Sequence, residues 1–117
     1  MLKERFRKYL PVVVDLETGG FDSNSNAILE IAITLIEEED NQLVVGDTHR
    51  FHIEPYEGLI VEDESLKFTK INLDHPLRNA VSEEHALKEL FKIINKNKNA
   101  YECSRACLLY TSDAADE

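Results

Sequence analysis

From Pro11 to Glu17 the chain reads Pro-Val-Val-Val-Asp-Leu-Glu, a continuous apolar, β-branched run closed by two carboxylates that flank a leucine. A strand with one solvated face alternates apolar and polar residues. An unbroken run belongs instead to a strand covered on both faces, in the middle of a sheet flanked by helices. Successive strand side chains point to opposite faces, so Asp15 and Glu17 project from the same one. Two neighbouring anions in a partly dry setting repel, and burial penalises each further. A shared proton, a cationic side chain or a bound cation relieves that repulsion. The strand supplies no cation, and all-oxygen donors suit magnesium or manganese. The competing reading is that the two acids merely mark the strand's exposed exit into a loop. Ligands gather at the carboxyl ends of central strands in α/β sheets, and Gly19-Gly20 would let a substrate backbone come close, which strengthens the metal reading.

The pattern downstream fits such a sheet. Residues 22–26, Asp-Ser-Asn-Ser-Asn, carry turn chemistry. Residues 27–37 read as a second long strand, with room for a helical turn near Leu29. Glu38 to Asn41 reverses the chain. A third strand then runs from about Leu43 to Ile53, with His49, Phe51 and Ile53 on one face and Arg50 and His52 on the other. Three strands joined by short reversals predict an antiparallel meander. Pro55 closes it. A short helix is expected over 62–67, and a longer one capped by Ser82. The second would bury Leu87, Leu90, Phe91 and Ile94 and fade between Asn95 and Asn99. Cys103 to Tyr110 reads as a fourth strand.

A chain of 117 residues with 43% hydrophobic and 31% charged side chains is one ordinary globular domain at most. Its net charge of −10 argues against unspecific affinity for nucleic acid, which depends on neutralising phosphates. Local basic patches remain available at Lys3, Arg5, Arg7 and Lys8, and at Lys92, Lys96, Lys98 and Arg105; solvated helix faces explain them equally well. Cys103 and Cys107 match neither a redox pair nor half a zinc site, and reduced thiols in a cytosolic protein are expected. No apolar run is long enough to span a membrane, and the first residues lack the apolar core of a secretory signal.

Val14-Asp15-Leu16-Glu17-Thr18-Gly19-Gly20-Phe21 resembles the first exonuclease motif of the DEDD superfamily, in which D-x-E-T opens a metal site. Arg5-Phe6-Arg7, Leu29-Glu30-Ile31-Ala32, Phe51-His52-Ile53-Glu54-Pro55 and Ala80-Val81-Ser82-Glu83 are similar to landmarks of its ribonuclease T family. The likeness runs from about Arg5 to Ala106. It implies an α/β, ribonuclease H-like exonuclease fold: a mixed sheet in which an antiparallel three-strand meander is joined by a parallel strand and flanked by helices. It also implies a 3′→5′ exoribonuclease of the DEDDh type, a cytoplasmic homodimer. Such an enzyme trims RNA 3′ ends, tRNA among them, digests single-stranded DNA and uses two bound magnesium ions. On that pattern Asp15 and Glu17 are the catalytic metal ligands, and Thr18, Phe21, Glu64 and Phe68 bind substrate. Phe21 and Phe68 stack the terminal bases while Glu64 helps to read them. Without the family, core packing is the simpler reading of both phenylalanines. Arg5, Arg7 and Arg105 match a basic patch that presents RNA to the partner's active site. One departure is visible: the second strand is one residue short after Ile31-Ala32, which would flip later side chains unless a turn absorbs it.

The family's remaining acids and its histidine have no counterpart here. Asp116 falls at the count of the second-motif Asp, but the His, Asn and Phe of that motif are absent, and the match is read as coincidence. His49, His52, His75 and His85 are read as structural or solvated rather than catalytic. Residues 1–106 are therefore expected to be a partial exonuclease domain, and 107–117 a non-native tail resembling translated adapter read-through. The fragment alone is expected to be inactive. Two rivals fail on spacing. An EF-hand opening at Asp22, Asn24 and Asn26 has Ala27 where glycine is needed and Ile33 where a bidentate Glu belongs. A phosphate loop at Gly19-Gly20 lacks both the third glycine and the lysine. A catalytically dead module of the same fold, dimerising or binding nucleic acid, is the surviving alternative.

Overall fold

A computed structural model describes residues 2–22 and 24–111. Helix α1 (Leu2–Arg5) leads into strand β1 (Tyr9–Thr18), followed by β2 (Ile28–Glu39), β3 (Gln42–His52), α2 (Asp63–Thr69), α3 (Glu83–Ala100) and β4 (Arg105–Thr111). The four strands form one sheet in the order β3-β2-β1-β4. The β-branched run thus lies inside the sheet, antiparallel to β2 and parallel to β4. The expected meander is present. Asp40 and Asn41, both with positive φ (51° and 64°), close its second hairpin, as a two-residue reversal between twisted strands requires.

One face of the sheet is the core. Leu10, Val12 and Val14 of β1 and Ile31, Ile33 and Leu35 of β2 pack with Ala86, Leu90 and Ile94 of α3. The spacing of the last three is one residue per helical turn, which draws a single stripe toward the sheet. Ser82 caps α3, its hydroxyl oxygen accepting the His85 N–H at 3.1 Å.

Three local expectations are revised. Phe91 is 49% exposed, because it sits a third of a turn off the stripe centred on Leu90. The helix does not fade at the asparagines but continues to Ala100. Ile94 is buried, and Tyr101 reaches across to β2, where its hydroxyl accepts the Glu38 N–H at 3.3 Å; that anchoring outweighs the modest helix aversion of Asn. The irregularity near Leu29 is a β-bulge and not a helical turn: Glu17 pairs with Glu30 but Thr18 with Ile28, leaving Leu29 as the additional residue. A second irregularity lies on β3. Thr34 pairs with Thr48 and Ile36 with Val45, so Gly46 and Asp47 together oppose Leu35. This bulge restores pairing between the two strands beyond Leu35.

Candidate metal centre at the end of the interior strand

The ladder between β1 and β2 is regular from Val12–Leu35 to Glu17–Glu30. Side chains along this stretch therefore alternate, and Asp15 and Glu17 lie on the face opposite the Val12–Val14 core stripe. Both are half-buried. Glu30 stands directly across from Glu17, a like-charge pairing that sheets normally avoid. It is relieved from the far side: Arg50 Nε lies 3.0 Å from Glu30 Oε1, and His52 Nδ1 3.9 Å from Oε2. Asp15 has no ion-pair partner among the described residues, and faces the small Ala32 across the ladder. No group of three metal-ligating side chains gathers among the described residues. Two hard oxygen donors on one half-buried face still fit magnesium, which binds through one or two carboxylates and keeps several waters.

The turn after β1 is packed by its own chain. A Cβ on Gly19 would stand 2.9 Å from Val61 Cα and 3.0 Å from the Ile60 oxygen, and one on Gly20 would meet the Glu62 carboxylate and Asn26. The two glycines therefore admit the 60–62 segment, which corrects the expectation that they clear space for a substrate. Hydrogen bonds hold the same junction. Glu62 N–H donates to Gly19 O at 2.7 Å, Ala27 N–H to Ile60 O at 3.1 Å, and Ile60 N–H to Ser25 O at 2.8 Å. Thr18 Oγ1 donates to Gly20 O at 2.8 Å, so this hydroxyl shapes the turn. The residues that suggested a calcium loop form an Asx turn instead. Asp22 Oδ1 accepts the Asn24 N–H at 2.9 Å, and that bond, with one from Ser25, holds the Asp22 carboxyl below its usual range.

Since α2 starts immediately after Glu62, this junction ties its first turn to the end of β1. Glu64 and Phe68 lie one helical turn apart on α2, both exposed, Phe68 by 47%. Phe21, in the loop fastened to the same segment, is 78% exposed. Core packing is thereby excluded for both phenylalanines.

The sequence profile of the exonuclease family matches residues 12–116. The chain belongs to the exonuclease family. Among curated relatives, ribonuclease T of Shewanella denitrificans is 47% identical over 116 residues, covering 98% of this chain and 51% of that protein. Ribonuclease T of Vibrio campbellii is 50% identical over 117 residues, covering 98% and 55%. The chain thus spans about half the length of the curated relatives it matches. A crystal structure of a full-length 3′-exonuclease superposes with a TM-score of 0.61, over 87% of this chain and 46% of its own, at 18% identity. The family match and this similarity together agree with a ribonuclease H-like exonuclease fold.

Within this exonuclease domain the basic residues sit at the opposite end of β1 from the acids. Arg105 pairs with Tyr9 across the β1–β4 ladder, and Arg5 and Arg7 precede the strand. At about 3.3 Å per residue, Tyr9 to Glu17 spans roughly 26 Å. Arg5 is partly engaged, with Nε 3.8 Å from Glu38 and Nη2 donating to Asn41 O. Arg5 and Arg7 border an apolar groove formed by Phe6, Tyr9, Pro11, Cys107 and Leu109. Residues 107–111 continue β4, while Asp116 lies outside the described residues.

The histidines are placed without a shared role. His85 meets Phe51 edge-on at 6.2 Å, and His75 Nδ1 accepts the Leu77 N–H at 3.1 Å. Sequence reasoning did not single out Glu30 with its Arg50 and His52 partners, nor the buried Arg78. The alternation of β2 and β3 could have revealed the first group; nothing local signals the second.

Proposed function

We propose that this chain carries the first metal-binding motif of a 3′→5′ exoribonuclease that trims RNA 3′ ends, tRNA included, and also accepts single-stranded DNA. The observation carrying the proposal is the presentation of Asp15 and Glu17 from one face of an interior strand of the sheet, in a chain about half identical to ribonucleases T. Asp15 and Glu17 hold magnesium, or manganese in its place. Bound there, the ions of a complete site supply activation of water and charge neutralisation at the leaving oxygen. The ion pair of Glu30 with Arg50 keeps a third carboxylate from competing at Glu17. Phe21 and Phe68 offer exposed rings for the terminal bases, a contact worth about 1–3 kcal/mol per base and indifferent to base identity, and Glu64 reads their edges. Thr18 supports this surface by fixing the turn that bears it.

Arg5, Arg7 and Arg105 lie too far along β1 to serve the same chain's acids. That separation supports a homodimer in which each basic end delivers RNA to the other copy's site. Among the described residues no helix is long and apolar enough to cross a membrane, and we place the activity in the cytoplasm. The 117 residues alone lack the later acids and the histidine base, so the fragment by itself is inactive.

The test is to recover the genomic reading frame past Ala106 and express both versions. The extended protein should shorten a tRNA 3′ end only with magnesium, and Asp15→Asn should abolish this; the 117-residue chain should not act. An extended protein without magnesium-dependent trimming would leave a dead module of the same fold as the correct reading. Trimming by the short chain would refute its inactivity.

A further inference from the structure

Arg78 is the one buried charged residue among the described residues, its side chain 4% exposed. Its Nη2 donates to two backbone carbonyls, Ile53 O at 2.6 Å and Leu29 O at 3.3 Å. Its Nη1 lies 3.5 Å from the Glu54 carboxylate, and its backbone N–H donates to His75 O at 3.1 Å. One side chain from the segment after α2 thus ties the exit of β3 to β2 at Leu29. Leu29 is the bulged residue, where β2 carries its additional residue opposite Glu17 and Thr18. The same carbonyl also accepts the Ile53 N–H at 2.9 Å, so the bulge is gripped from the side away from β1.

Burying a guanidinium is costly, and an apolar side chain of similar volume would fill this space at less cost. It would not fix the direction of two carbonyls, as a planar fork of donors does. Bulges bend and twist their strand and re-aim neighbouring side chains, so whatever pins one also sets what lies across the ladder. We propose that Arg78 is a positioning residue for the carboxylate pair: by pinning the Leu29 bulge it sets where Glu17 stands relative to Asp15. This rests on the reading of that pair as a divalent-cation site.

The test compares the wild-type 117-residue chain with Arg78→Met, Arg78→Lys and Leu90→Ala, the last a core truncation in α3 away from the bulge. Manganese affinity is measured by calorimetry at a temperature where every variant is folded by circular dichroism. Amide hydrogen exchange is followed by NMR at Glu17, Thr18 and Glu30, with Ile33 as reference. Arg78→Met should weaken manganese binding about ten-fold or more, the range typical of lost outer-shell support. It should also speed exchange at the three bulge amides but not at Ile33. Leu90→Ala should lower the unfolding midpoint and leave manganese affinity unchanged. Should Arg78→Met fail to fold, Arg78→Lys carries the same expectations. Unaltered affinity in the Arg78 variants, or an equal loss in Leu90→Ala, overturns the proposal. A folded wild-type chain that binds no manganese removes the cation reading itself; unchanged exchange at Glu17 and Thr18 in the Arg78 variants then separately rejects the positioning role.

Discussion

Gly19 shows how tightly the end of β1 is fitted to the rest of the chain. The two nearest atoms a Cβ would meet there are backbone atoms of residues 60 and 61, which cannot swing aside as a side-chain tip can. Gly19→Ala should therefore cost about 1–3 kcal/mol, the usual penalty for overpacking, read as a lower denaturant midpoint. The cysteines make an independent check on the sheet. Cys103 is buried and its Sγ sits 3.7 Å from Tyr101 O, and burial raises its thiol pKa. A folded-state thiol pKa above the unfolded value contributes stability below the unfolded pKa and loses it as pH rises through the folded one. A thiol reagent at neutral pH should modify exposed Cys107 at once and Cys103 only on unfolding. Simultaneous labelling would mean that the α3–β4 junction is not closed as described. At this scale Asp15 and Glu17 were legible from the sequence, since alternation alone fixes their common face. Arg78 was not, because its partners Leu29 and Ile53 lie 49 and 25 residues away and no local pattern encodes them.

Helix α3 separates what periodicity reveals from what it does not. An apolar stripe was legible, but its centre was misplaced: Leu87, Leu90, Phe91 and Ile94 span a broad arc, and only packing decides which edge is covered. Ala86, Leu90 and Ile94 are buried and Phe91 is not. Leu90→Ala should cost about 2–5 kcal/mol of unfolding free energy by leaving a cavity, and Phe91→Ala within about 0.5 kcal/mol of nothing, as for a surface change. Equal losses would put the helix in a different rotation. The strand assignments were legible because β-branched runs and the Asp40-Asn41 reversal are local signals. The two bulges were not, since each is a property of pairing between strands and not of either strand alone.

For the whole molecule, the sheet order places a half-buried acidic pair at one end of an interior strand and basic residues near its other end, within a chain of net charge −10. The antiparallel meander could be read from the strand pattern, while the mixed sheet with its parallel strand followed from the resemblance carried by the Val14–Phe21 motif and the later landmarks. The junction between the Gly19–Ala27 turn and residues 60–62, which carries α2 to the candidate site, appears only in three dimensions. The central claim, that Asp15 and Glu17 together face a cation, makes a direct demand on stability, because a ligand bound only by the folded state stabilises it by mass action. Thermal unfolding of the chain and of Asp15→Asn should be followed as magnesium is raised to about 10 mM. For a Kd on the order of 1 mM the gain is about 1.4 kcal/mol, a rise in Tm of several degrees. The wild-type chain should show that rise and Asp15→Asn should not; a midpoint that ignores magnesium, or climbs equally in both, would contradict the account.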